Sequence, residues 1–112
     1  ELAENLMITD MVRNDLGKVA LKGSVKVEKL FGVESYKTLH QLVSTVTCKT
    51  DRGFKEIIEA TFPPASVTGA PKRREVEIID LLESHAREVY CGTLGVIKPN
   101  GDFTCNVAIR TA

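Results

Sequence analysis

The stretch Pro63-Pro64-Ala65-Ser66-Val67-Thr68-Gly69-Ala70-Pro71-Lys72 is a run of turn formers and small residues that leads into a strongly helical segment. Proline suits the first turn of a helix, because its missing N–H would have no intrahelical partner there. The spacing therefore predicts a helix over 71–86, with Val76, Ile79, Leu82 and Ala86 as its apolar stripe and His85 near its negative end. Thr68 and Gly69 fall just before that helix, where unpaired amides and the helix dipole favour a carboxylate or phosphate. Gly69 would let an anion approach the backbone, and Lys72 adds a positive charge. An ordinary loop followed by a proline-started helix is the alternative reading.

Outward from this loop, the N-terminal side reads as a helix and two strands. Residues 1–16 place Leu2, Ala3, Leu6, Met7 and Met11 at helical spacings, with Gly17 as the stop. Glu1 and Glu4 are three apart, so a helix projects both carboxylates from one side. Such a pair can hold a hard cation such as Mg²⁺, or can simply be a solvated face. Residues 24–31 alternate as a half-buried strand before Gly32, and residues 38–49 are β-branched enough for a second strand. His40 then lies on a largely apolar face, either as a hydrogen-bonded structural residue or as a substrate contact. Residues 54–60 read as a short helix after the Asp51-Arg52-Gly53 turn.

On the C-terminal side, 89–97 and 102–111 flank Asn100-Gly101, a strong hairpin signal. Tyr90 opens the first of these strands, and Gly92 and Gly95 leave the sheet surface bare enough for a ligand. Arg110 follows small neighbours, which leaves room for bidentate capture of a carboxylate. The order α-β-β-α-α-β-β predicts an α+β fold, an antiparallel sheet with helices packed on it.

Composition narrows the function classes. The 112 residues carry 15 basic and 15 acidic side chains, so no net field argues for nucleic acid or an anionic membrane. Cys48, Cys91 and Cys105 are odd in number and widely spaced, as in a reduced cytoplasmic protein. No stretch is long and apolar enough to span a membrane. The Gly-x4-Gly-Lys-Ser/Thr spacing of a P-loop is absent around Lys72, which argues against a nucleotide-binding module on Ser66–Lys72.

Five blocks, ELAENLMITDMVRNDLG, LHQLVSTV, FPPASVTGAPKRREVEIIDLLE, VYCGTLGVI and CNVAIRT, occur in an order that resembles the chorismate-binding enzymes. The resemblance runs along essentially all of 1–112 as a single segment. It implies a partial chorismate-utilising fold, the middle-to-late part of a catalytic domain truncated at both ends. The branch that aminates chorismate to 4-amino-4-deoxychorismate, for 4-aminobenzoate and folate, is most similar. The alternatives are the anthranilate-forming branch and a non-catalytic binding or assembly domain of the same fold. The resemblance implies Mg²⁺ as cofactor, with Glu4 as direct ligand and Glu1 as its companion through water. It implies His40 near the reacting ring carbon, with Glu1 also in a catalytic role. Thr68, Gly69, Lys72, Tyr90 and Arg110 are the implied substrate-binding residues. A glutamine amidotransferase would supply ammonia. The family's upstream lysine block and downstream second glutamate pair lie outside these residues, so the 112-residue chain alone is expected to be inactive. Its exposed edges are expected to favour self-association.

Overall fold

The computed structural model describes residues 1–110, and the expected strand end at Thr111 lies outside them. The elements are α1 (Leu2–Gly17), β1 (Lys26–Ser35), β2 (His40–Thr47), α2 (Phe54–Thr61), a 3-10 turn (Ala65–Val67), α3 (Lys72–Leu82), β3 (Thr93–Ile97) and β4 (Phe103–Val107). The expected α+β order is borne out, as two antiparallel pairs, β1–β2 and β3–β4. The chain groups into two compact units that meet in sequence at Ala65 and Ser66.

In the first unit α1 packs on β2, β1 and α2. The packed side of α1 is more polar than its spacing predicts. Leu2, Leu6 and Met7 are exposed, whereas Thr9 and Asp15 are buried. The reason is a hydrogen-bond network. The Ser44 hydroxyl on β2 donates to the Asn5 side-chain oxygen, and the Asn5 amide donates to the Leu42 carbonyl at 3.4 Å. Thr9 donates to the Asn5 carbonyl at 2.7 Å, and Asp15 pairs with Lys18 at 2.8 Å. Polar groups taken from water need such partners, so Asn5, Thr9 and Ser44 meet one another there rather than facing solvent.

Strand β1 continues through Gly32 instead of ending there. A Cβ on Gly32 would fall 1.6 Å from the Lys29 side chain, so the missing side chain makes room for the Lys29 stem. Lys29 crosses to pair with Glu34 at 3.7 Å, and the β1–β2 register shifts between Lys29 and Gly32. The loop after α1 is clipped to the end of β2. The Leu21 amide donates to the Lys49 carbonyl at 2.7 Å, and the Thr50 hydroxyl donates to the Val19 carbonyl at 2.6 Å.

In the second unit α3 starts at Lys72 with Pro71 as its N-cap and ends at Leu82, four residues earlier than predicted. His85 therefore lies beyond the helix. The expected stripe is only partly covered: Ile79 is half-buried, whereas Val76, Leu82 and Ala86 are exposed. Neither β3 nor β4 packs extensively on α3. The hairpin turns at Asn100-Gly101 as expected, with Gly95 opposite Cys105. Its strands are shorter than predicted, and both Tyr90 and Arg110 fall outside them.

Candidate functional site

The predicted site residues divide between the two units. In the first unit, Glu1 is the N-cap of α1 and Glu4 lies in its first turn, both exposed. Asn5, next to Glu4, is the residue that binds Leu42 and Ser44, so the carboxylate-bearing end of α1 is anchored beside the start of β2. His40 opens β2 opposite Ser35 and is exposed, not set on a covered apolar face. Its Nδ1 lies 2.9 Å from the Ser35 hydroxyl, which fixes the ring and leaves Nε2 for another partner.

Glu1 and Glu4 offer hard oxygen ligands, and no set of three or more His, Cys, Asp or Glu side chains converges among the described residues. Two carboxylates suit Mg²⁺, which keeps several waters and takes further oxygens from a bound substrate. The donors fit the ion as part of its shell.

In the second unit, a cleft of about 300 Å³ is lined by Ser66, Val67, Arg87, Tyr90, Ile109 and Arg110. Tyr90 and Arg110, two predicted substrate contacts, thus share one cavity with Ser66 and Val67 of the loop. Neither is where the spacing put it. Tyr90 lies in a turn over 88–91, held by its amide to the Arg87 carbonyl at 2.9 Å. Arg110 follows β4 with φ of 52°. Positive φ also occurs at Glu88 and Cys91, so backbone in the left-handed region gathers around this cleft. Such conformations cost energy for non-glycine residues and concentrate at functional sites. Cys91 is buried, and it and Gly92 are tied to the end of the hairpin: the Cys91 amide donates to the Ala108 carbonyl at 2.9 Å, and the Ala108 amide donates to the Gly92 carbonyl at 3.0 Å.

The loop before α3 differs from the expected open anion site. Gly69 has φ of 130°, and a Cβ there would stand 2.7 Å from Cγ of Glu75. A carboxylate side chain therefore lies against the glycine whose backbone an anion was expected to reach. Lys72 is the first helical residue, directly after the Pro71 cap. The space beside Gly92 and Gly95 is likewise filled from within. A Cβ at Gly95 would meet Cys105 Sγ at 2.6 Å, and one at Gly92 would meet the Val89 carbonyl at 2.8 Å.

Sequence reasoning missed Arg87. Its guanidinium binds both Glu83 oxygens, with Nε at 3.0 and 2.8 Å, and donates from Nη1 to the Val67 carbonyl at 3.2 Å. It also lies 5.9 Å from the centre of the Tyr90 ring. The available signal was the four-residue spacing of Glu83 and Arg87, with Arg87 one residue past the end expected for the 71–86 helix.

The profile of the chorismate binding enzyme family matches residues 1–112, and the chain belongs to that family. It is 52% identical over 111 residues to the chloroplastic aminodeoxychorismate synthase of Arabidopsis thaliana, covering 97% of this chain and 12% of that protein. It is 47% identical to aminodeoxychorismate synthase component 1 of Escherichia coli, covering 97% of this chain and 24% of that protein. Anthranilate synthase component I from Streptococcus pneumoniae superposes with a TM-score of 0.88 at 35% identity, over 96% of this chain and 25% of that one. The chain thus spans between about an eighth and a quarter of the length of these relatives. No helix among the described residues is long and apolar enough to cross a membrane.

Proposed function

We propose that this chain is part of a Mg²⁺-dependent synthase that aminates chorismate to 4-amino-4-deoxychorismate on the route to 4-aminobenzoate and folate. The observation that carries this reading is the cleft in which Tyr90 and Arg110 stand together beside the Ser66–Val67 segment. A planar guanidinium and a phenol on one cavity wall suit the carboxylates of a small cyclic dianion. The amination branch is favoured because relatives about half identical to this chain carry the aminodeoxychorismate synthase name. Reduced cysteines suit a cytoplasmic setting or an equivalent reducing compartment.

Each residue then takes a role. Arg110 holds a substrate carboxylate, and Tyr90 closes the same cavity from the 88–91 turn. Thr68 and Gly69 meet the substrate from the loop, which requires the Glu75 carboxylate to turn away from Gly69. Lys72, at the first position of α3, contributes positive charge. His40, with Nδ1 engaged by Ser35, presents Nε2 for proton transfer or for orienting the ring substituents. Glu4 would ligate Mg²⁺ directly and Glu1 through water. When bound, the ion would supply positive charge to neutralise a substrate carboxylate. A glutamine amidotransferase partner would supply the ammonia, which suits the "component 1" in the name of the Escherichia coli relative.

The test is to incubate the full-length polypeptide carrying this chain with chorismate, ammonia and Mg²⁺, and identify the product by mass spectrometry. 4-Amino-4-deoxychorismate is expected. Anthranilate would move the chain to the other branch, and unchanged chorismate under conditions where the fold is intact would overturn the reading.

A further inference from the structure

The cleft of the second unit contains a guanidinium already committed to its own chain. Arg87 is partly withdrawn from solvent, its side chain 27% exposed, and three anchors converge on it. Glu83 accepts from both Nε and Nη2, so the fork is oriented by a bidentate carboxylate. The Val67 carbonyl accepts from Nη1, twenty residues away in sequence. The Tyr90 ring lies within cation–π reach. Arg110, on the same cavity, has no carboxylate partner among the described residues. The two arginines therefore differ in kind: the charge of one is spent within the chain, and the other is available to an anion.

We propose that Arg87 is a positioning residue, which Glu83 locks in place so that it clamps the Val67 carbonyl and the Tyr90 ring into the shape of the substrate cleft. This rests on the reading of that cleft as the chorismate site. Only a planar fork can meet the Glu83 carboxylate with one edge and the Val67 carbonyl with another donor; a lysine ammonium is a point charge on a flexible stem. The backbone around the clamp gives it a reason to exist. Glu88 and Cys91 have positive φ, so the turn that carries Tyr90 must be held by its surroundings. The Arg87 carbonyl accepts the Tyr90 amide, so one residue fixes that turn through both its backbone and its side chain.

The proposal separates from a direct substrate contact through Glu83. If Arg87 bound the substrate itself, removing the charge of Glu83 would free the guanidinium for the anion and leave binding equal or tighter. As a clamp, it loses its orientation and binding weakens.

The test uses the full-length polypeptide in steady-state assays with chorismate. Arg87→Lys is expected to raise KM about tenfold or more, with kcat changed far less. Glu83→Gln is expected to raise KM in the same direction, and the double variant to be no worse than Arg87→Lys. Arg110→Ala serves as the control for the cleft, and thermal melts show whether each variant remains folded. If Arg87→Lys is folded and its KM stays within twofold while Arg110→Ala loses affinity, the clamp is overturned and the cleft stands. If Glu83→Gln leaves KM unchanged or lowers it, the clamp is again overturned, whether or not Arg87→Lys folds. If Arg110→Ala also leaves KM unchanged, the reading of the cleft fails and this inference with it.

Discussion

The amide of Phe31 donates to the hydroxyl of Ser44 at 3.1 Å, at the point where β1 shifts register against β2. Phe31 has φ of 55°, and the same hydroxyl donates onward to Asn5 on α1. One serine thus satisfies an amide that the distorted ladder leaves over and ties the helix carrying Glu1 and Glu4 to the sheet. Ser44→Ala strands the Phe31 amide and leaves the Asn5 side-chain oxygen only the longer 3.4 Å bond from the Thr9 hydroxyl, in a partly buried position. The expected cost is about 1–3 kcal/mol. Urea denaturation, with the slope unchanged and the midpoint lowered, checks it.

The carboxylates of α1 make separate predictions for metal dependence. Glu4→Gln removes a direct ligand and is expected to raise the half-saturating Mg²⁺ concentration more than Glu1→Gln does. For Glu1, acting through water, the increase should be about tenfold. Mg²⁺ titrations of chorismate turnover distinguish the two, and equal responses would remove the distinction between the ligand and its companion.

Gly69 is constrained twice, by its φ of 130° and by the Glu75 side chain against it. Gly69→Ala is therefore expected to destabilise the second unit by about 1–3 kcal/mol. Shortening Glu75 to alanine in the same chain should recover only the part due to crowding, because the backbone term remains. Thermal melts of the two single variants and the double variant measure the split.

The Glu83–Arg87 pair has a defined pH response. Hydrogen bonding to Arg87 holds the Glu83 carboxyl below the ordinary glutamate range. A lowered folded-state value means the contribution is fully present above the unfolded value and is lost as pH falls through the folded one. The clamp is thus intact at neutral pH and opens only in acid. The difference in melting temperature between the parent chain and Glu83→Gln should be constant from pH 8 to about 6 and shrink below about 4. Because the pair is partly exposed, the whole difference should be small and weakened by salt.

Local signals placed the elements better than they placed the site. The 54–60 helix and the Asn100-Gly101 turn appear within a residue of expectation, because hydrophobic period and turn chemistry act over a few neighbours. The helix over 71–86 stops at Leu82, where Glu83 turns extended and engages Arg87 instead of continuing the spiral. The two strand-end assignments failed for a related reason. Tyr90 and Arg110 read as strand residues by alternation, yet the hydrogen bonds joining Cys91, Gly92 and Ala108 close the hairpin's end and leave both in left-handed surroundings. Polar packing on α1 was illegible too, since Asn5 and Thr9 reveal their partner only when Ser44 of β2 lies alongside.

Equilibrium binding of chorismate to the full-length polypeptide, comparing the parent with Arg110→Ala, tests the assignment of the Tyr90–Arg110 cleft most directly. Loss of charge-assisted hydrogen bonds to a carboxylate should weaken binding about 10- to 100-fold, with an unchanged melting temperature. Affinities within twofold of each other, with both proteins folded, would contradict it.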